Sequence, residues 1–296
     1  MIILRTFAEV RALTGGPVSL VPTMGYLHEG HLSLIEVASK DEGPTVVSLF
    51  VNPTQFGDAA DLDAYPQDER RDAALAAAAG ADVLFAPDAA EMYPENNKVT
   101  VAVGGVGDAM EGRFRHGHFE GVATVVAKLF AGIAPARAYF GRKDAQQLAV
   151  VVTMRNGLRF AVDIVGLPTV RERDGLALSS RNARIDPLDR KAAAAVSTSL
   201  FAGADVIEAG EVESATITRA IASVLSETPE VDVEYIEVAD SATAALVERI
   251  EHDSFVAVAA RVGGVRLIDN VAVDGASLRV DRGTTLQGTS ILYEED

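Results

Sequence analysis

The chain reads as an α/β protein: a Rossmann-like parallel sheet with helices on both faces, followed by a smaller C-terminal α+β domain. Three observations predict this. Short apolar, β-branched runs alternate with helix-spaced stretches from Val18 to Phe85, the pattern of strands joined by helical crossovers. The 296 residues suffice for one large domain or two. After a polar loop at 169–182 the pattern changes to two alanine-rich helices and alternating strands. The predicted domains are residues 1–169 and 170–296.

Val18–Val21 is the first strand in this reading, ended by Pro22, with Gly25 in a turn behind it. Leu32 and Ile35, and Leu34 and Ala38, have helical spacing, so His28 and His31 stand where a helix begins. A helix N-terminus offers unpaired N–H groups and partial positive charge, which attract anions such as phosphate. The pair therefore has two readings, phosphate-binding imidazoles or ordinary surface and capping histidines. Thr45–Val51 is a buried strand that stops at a turn containing Asn52 and Gln55. Both amides sit past a strand's carboxyl end, where open α/β sheets bind ligands; plain turn chemistry is the alternative. An alanine-rich helix from about Asp68 to Ala79 ends at Gly80, and Ala81–Ala86 is the next strand. Thr100–Val103 is expected to be another short strand.

Four of the five histidines lie in two clusters, the second being Arg113-Phe114-Arg115-His116-Gly117-His118. Two arginines and two histidines in an acidic chain suggest an anion site, with a solvated loop as the alternative. A helix follows from Val122 to Phe130. The strand ending at Gly141 delivers Lys143, a point charge suited to phosphate, with Asp144 as helix cap or acceptor from ribose hydroxyls. Phe160–Leu167 completes the first sheet. Ser179, Ser180 and Arg181 belong to a polar loop able to close over a polyphosphate or to serve as an interdomain linker. Lys191–Ala209 and Val212–Leu225 are helices, Val231–Val238 is a strand, and Phe255–Ile268 is a hairpin around Gly263-Gly264. The tail from Asp281 to Asp296 is expected to be loosely ordered.

Composition limits the partners. Apolar residues make up 48% and charged residues 23%, as in ordinary globular chains. No apolar run approaches the roughly 18 residues of a membrane span, and no secretory signal is visible at the start. There is no cysteine, which removes disulfides and thiolate metal sites, and a cytoplasmic location is the expectation. A formal charge of -17 argues against nucleic acid but not against a small phosphate ligand, for which a few converging cations suffice.

Taken together, five motifs resemble the pantoate–β-alanine ligases of the nucleotidylyltransferase superfamily. They are Pro22-Thr23-Met24-Gly25 with His28-Glu29-Gly30-His31; Phe50-Val51-Asn52-Pro53 with Gln55-Phe56-Gly57; Gly117-His118-Phe119 with Gly121-Val122; Gly141 with Lys143-Asp144 and Gln146-Gln147; and Ser179-Ser180-Arg181-Asn182. The resemblance implies an ATP-dependent enzyme that condenses (R)-pantoate with β-alanine through a pantoyl adenylate, releasing AMP and pyrophosphate, with Mg²⁺. Residues 1–169 would bind nucleotide and pantoate, and 170–296 would be a lid beginning with the phosphate-closing loop. His31, His28 and Lys143 would be catalytic, His31 as the acid. Met24, Gly25, His28, His31, Gly141, Lys143, Asp144, Val170, Leu178, Ser179, Ser180 and Arg181 would bind ATP. Met24, Asn52, Gln55 and Gln147 would hold pantoate or β-alanine, and Asp72 would contact magnesium. A homodimer is implied, without nucleic-acid or membrane partners.

The sequence departs from the family pattern at Arg142, Ala145, Leu178 and His116, where the family usually has Glu, an aromatic, Met and Pro. Gln67-Asp68 also replaces the common Arg-Thr. A metal-dependent hydrolase using His28, His31, His116 and His118 is the rival reading.

Overall fold

The computed structural model describes residues 1–57, 62–95 and 99–293. It divides into two compact units, Met1–Gly141 with Val150–Leu167, and Arg142–Ala149 with Pro168–Asp296.

In the first unit the described residues form a six-stranded parallel sheet. Its strands are β1 (Ile2–Leu4), β2 (Ser19–Thr23), β3 (Thr45–Leu49), β4 (Val83–Phe85), β5 (Arg137–Gly141) and β6 (Asp163–Leu167), ordered β1-β4-β3-β2-β5-β6. From β2 the chain steps outward through β3 to β4, whereas β5 and β6 step the other way. Right-handed crossovers then place helices on opposite faces of the sheet. Helix α1 spans Phe7–Leu13 and follows β1 at the sheet edge. Leu34, Ile35 and Ala38 of α2 (Glu29–Ala38) and Ala76 of α3 (Glu69–Ala78) pack on Val21, Val47 and Leu84 of the sheet. Each large aliphatic side chain so buried contributes about 1.5–3 kcal/mol. Asp68 caps α3 by accepting from Arg71 N at 2.9 Å, and Gly80 (φ 101°) lies beyond its end.

Two local expectations differ from the structure. Residues 100–103 are not a strand: Val101 N donates to Thr124 Oγ1 at 2.9 Å, so a side chain takes the place of a ladder. Conversely, β1 and α1 lie outside the alternation read from Val18 onward. The strand is three residues long, and Ile2 and Ile3 stay half exposed at the sheet edge.

Asp41 ties β2 to β5. It accepts from Ser19 Oγ at 2.6 Å, Arg137 Nη1 at 2.5 Å and Tyr139 Oη. Burial raises its pKa, but those hydrogen bonds outweigh it and leave the group below its ordinary 3.8. The folded state therefore binds fewer protons here than the unfolded state in acid. The stabilisation is full above about pH 4 and is lost as pH falls through the lowered value. Asp41→Asn should flatten the acid limb of a stability-versus-pH curve; an unchanged limb would remove Asp41 from the acid response.

The second unit has a four-stranded antiparallel sheet built from β8 (Asp232–Asp240), β9 (Ser254–Val262), β10 (Val265–Val273) and β11 (Val280–Asp281), ordered β11-β10-β9-β8. Gly263 (φ 53°) and Gly264 (φ 80°) make the β9–β10 turn, the positive φ pair that a two-residue hairpin requires. Two helices, Arg190–Glu208 and Ser214–Leu225, cover the sheet through Val196, Leu200, Ile217 and Ile221. The tail is more ordered than expected through Tyr293; residues 294–296 lie outside those described. Strand β12 (Thr284–Thr285) pairs in parallel with β7 (Val170–Arg171), and Tyr293 Oη donates to Glu172 Oε1 at 2.9 Å. These partners are more than a hundred residues away in sequence, so local composition carries no sign of them.

Candidate active site

The strand order reverses at β2, which has β3 on one side and β5 on the other. Its pairing with β3 runs from Ser19 to Thr23, but its pairing with β5 covers Ser19 and Leu20. The two strands therefore part toward their carboxyl ends, where Pro22 has no N–H to offer. Open α/β sheets bind ligands at such a switch point. The chain leaves β2 into Met24–His31 and leaves β5 at Gly141, directly before Arg142 and Lys143.

The turn after β2 is held firmly. Gly25 has φ 90° and Tyr26 φ 51°, and a Cβ on Gly25 would lie 2.7 Å from Leu49 Cδ1. Asp72, 1% exposed, accepts from Tyr26 N (2.8 Å) and Leu27 N (2.7 Å), one bond on each oxygen. Arg71 adds a bond to Leu27 O at 2.9 Å and lies over the Tyr26 ring. Burial raises the Asp72 pKa, opposed by those two backbone bonds. A buried carboxylate with both oxygens on backbone N–H groups fits a clamp on this turn. It does not fit an open magnesium ligand, the role the resemblance implied for Asp72.

His28 caps α2. Its Nδ1 accepts from Gly30 N at 3.2 Å, while His31 Nδ1 accepts from His28 N at 3.3 Å. With both Nδ1 atoms acting as acceptors, each neutral ring carries its proton on Nε2. The rings stack with centroids 4.1 Å apart. A Cβ on Gly30 would come within 2.9 Å of the His28 ring, which explains the glycine in His-Glu-Gly-His. The capping reading of His28 is thus correct, and it prepares an Nε2–H donor at a helix N-terminus rather than competing with that role.

Asn52 and Gln55 separate in role. Asn52 is fully buried: Oδ1 accepts from Tyr93 Oη (2.8 Å) and Thr54 Oγ1 (3.0 Å), and Nδ2 donates to Gly121 O (3.1 Å). These bonds hold the turn. The second histidine cluster holds the same turn. His118, first residue of the helix His118–Ile133, donates from Nδ1 to Gln55 O at 2.9 Å. Its Nε2 then accepts from Arg115 Nη1 at 3.1 Å, and Arg115 Nη2 also reaches Gln55 O. Arg115 and His118 thus both bond to Gln55 O. Gly121 permits the approach, since its Cβ would lie 2.4 Å from Thr54 O. Gly121→Ala should cost about 1–3 kcal/mol by overpacking, read as a lowered denaturation midpoint. A variant as stable as the parent would contradict this close packing.

Among the described residues no three His, Cys, Asp or Glu side chains are placed to hold a metal ion. The four-histidine metal site of the rival reading has no geometric basis there.

In the second unit, Arg142–Asp144 form a 3₁₀ turn before the helix Ala145–Leu158, whose first turn carries Gln147. The Lys143 side chain is about one-fifth exposed, its Nζ 3.5 Å from Asp144 Oδ1. Arg142, a departure from the family pattern, donates to Asp281 Oδ2 at 3.2 Å, so its charge is directed at a carboxylate. Val170 O accepts from Leu178 N at 2.9 Å, bringing two of the predicted nucleotide contacts together. Ser179 caps the turn Ser180–Arg184 through Arg181 N (3.3 Å), and Asn182 anchors it to Glu172 and Ala177. Sequence reasoning overlooked Asp269 and Asn270. The available signal was a pair of buried polar residues inside an apolar strand, where Asp and Asn are depleted.

This fold and this end of the sheet define a parallel α/β protein of the switch-point ligand-binding class. Residues 2–272 match the family model described as pantoate-beta-alanine ligase. The pantothenate synthetase of Acetivibrio thermocellus is 45% identical over 280 residues, 93% of this chain and 100% of that protein. That of Rhizorhabdus wittichii is 47% identical over 264 residues, 89% of this chain and 93% of its own. The crystal structure of pantothenate synthetase from Thermus thermophilus superposes with a TM-score of 0.87 at 46% identity, covering 91% and 98% of the two chains. A pantoate-beta-alanine ligase from Francisella tularensis, complexed with beta-gamma ATP and beta-alanine, superposes with a TM-score of 0.73 at 30% identity, covering 91% and 97%. The chain belongs to the pantoate–β-alanine ligase family.

Proposed function

We propose that the chain joins (R)-pantoate to β-alanine at the expense of ATP, through pantoyl adenylate. The observation that carries this reading is the pair of Nε2–H imidazoles at the N-terminus of α2, beside the switch point of the sheet. Family membership and the nucleotide and β-alanine complex of the Francisella relative support the substrates.

In the first step a pantoate carboxylate oxygen attacks the α-phosphorus. The bond from that phosphorus to the bridging oxygen breaks, and pyrophosphate leaves. The main demands are in-line positioning and neutralisation of charge developing on phosphoryl oxygens. His28 and His31 are proposed to donate hydrogen bonds from Nε2–H to those oxygens, His31 keeping its proton as a neutral ring and not acting as the acid the resemblance implied, while Lys143 and Arg181 supply fixed positive charge. In the second step the β-alanine amine attacks the acyl carbon. The amide forms, the nitrogen gives up a proton, and AMP departs. Gln55 and Gln147, with Met24, are proposed to hold pantoate; Gly25, Gly141, Asp144, Val170, Leu178, Ser179 and Ser180 are proposed to contact ATP. Magnesium is proposed to arrive on the triphosphate, which supplies oxygen ligands of the kind it prefers. Residues 170–296 as a lid, a homodimeric state and a cytoplasmic location complete the proposal.

Pantoate labelled with ¹⁸O in its carboxylate tests the route. One labelled oxygen should appear in AMP, because the carboxylate oxygen that bonded to phosphorus stays there when the amine displaces it. Label found in inorganic phosphate, with ADP as co-product, would replace the adenylate by an acyl phosphate.

A further inference from the structure

Asn270 lies inside β10 and is 5% exposed. Its Nδ2 donates to two successive main-chain carbonyls, Arg142 O at 3.0 Å and Lys143 O at 2.6 Å. Both partners are acceptors, so the NH₂ end of the amide must face the turn. The backbone of Asn270 is itself held: its N–H donates to Asp269 Oδ1 (2.7 Å), and its carbonyl accepts from Arg171 Nη2 (3.0 Å). Arg171 and Asp269 are a buried bidentate pair, 1% and 3% exposed in their side chains. The Arg142 guanidinium adds a third tether through Asp281 on β11.

We infer that Asn270 is the positioning residue for Lys143: its amide fixes the 142–143 turn on β10 and so sets where the ammonium is delivered. A lysine carries its charge on a flexible four-carbon stem, and its reach is decided by the backbone that bears it. A shift of about 1 Å at a reacting group can cost about a hundredfold in rate. Arg171 follows Val170 directly, so the same buried network also steadies the segment proposed to contact ATP. The inference rests on the proposed role of Lys143 at the phosphates.

The test is a cycle of Asn270→Ala, Lys143→Ala and the double variant in the full chain, read by kcat and KM for ATP, with circular dichroism to establish folding. Asn270→Ala should lower kcat about 10- to 100-fold, with a change of less than about threefold in KM. In the Lys143→Ala background the same change should cost less than about threefold, because the group it serves is gone. An Asn270→Ala enzyme within about threefold of the parent, beside a strongly impaired Lys143→Ala, overturns the inference and leaves Lys143 in place. A loss that persists undiminished in the Lys143→Ala background assigns Asn270 a general structural role and overturns it too. A fully active Lys143→Ala removes Lys143 from the mechanism and the inference with it. If Asn270→Ala does not fold, Asn270→Ser, whose short hydroxyl cannot serve both carbonyls, is read by the same criteria.

Discussion

Replacing His31 by alanine is expected to slow adenylate formation about 10²- to 10³-fold, the usual effect of losing one donor aimed at developing charge. The size follows from what the ring does here. Its Nδ1 accepts from the His28 backbone N–H, which fixes the tautomer and sends the proton to Nε2. Its position in the first turn of α2 places it at the positive end of the helix, where the backbone N–H groups would reinforce the proposed bond to a phosphoryl oxygen. The ring also stacks on His28, so His31→Ala removes one wall of the His28 site as well. Single-turnover measurement of pyrophosphate release isolates this step. A loss smaller than about threefold with folding intact takes His31 out of the chemistry.

Arg171→Ala is expected to destabilise the second unit by about 3–5 kcal/mol, since it leaves a buried charge without its partner. Arg171 is almost wholly enclosed. It donates twice to Asp269, at 2.6 and 3.0 Å, and to the carbonyls of Gly175, Asn270 and Arg282. The Phe201 ring packs against the guanidinium. Deletion strands the Asp269 carboxylate, and a paired replacement, Arg171→Met with Asp269→Leu, should recover much of the loss. Denaturant unfolding of the two variants measures both quantities. A single-variant loss under about 1 kcal/mol would mean that water reaches Asp269.

The His31 turn and the Arg171 network differ in how far local sequence reveals them. The sheet of the first unit was legible because β2, β3, β4 and β6 are short, mainly apolar segments, the first three separated by helical spacing and by Gly25 and Gly80, features fixed within a few residues. β1 was not, being three residues at an exposed edge. The first histidine pair was legible for the same local reason: cap, glycine and second ring all lie within four positions. The partners of the second pair were not legible. His118 and Arg115 gather at Gln55 O from sixty or more residues away, and clustering in sequence does not say what a cationic group faces. Asn52 is a similar case, an amide past a strand end whose bonds turn inward. Asp72 and the Arg171–Asp269–Asn270 network share the remaining difficulty. A buried polar group declares its purpose only through its partners, and those of Asn270 lie 127 and 128 residues away.

Isotope exchange between pyrophosphate and ATP in the absence of β-alanine tests the proposed chemistry most directly. The proposed adenylation, with the proposed roles of His28, His31, Lys143 and Arg181, requires label to enter ATP when pantoate is present and to stay out when it is omitted. Exchange that ignores pantoate, or no exchange under conditions where the complete mixture forms pantothenate, would contradict it.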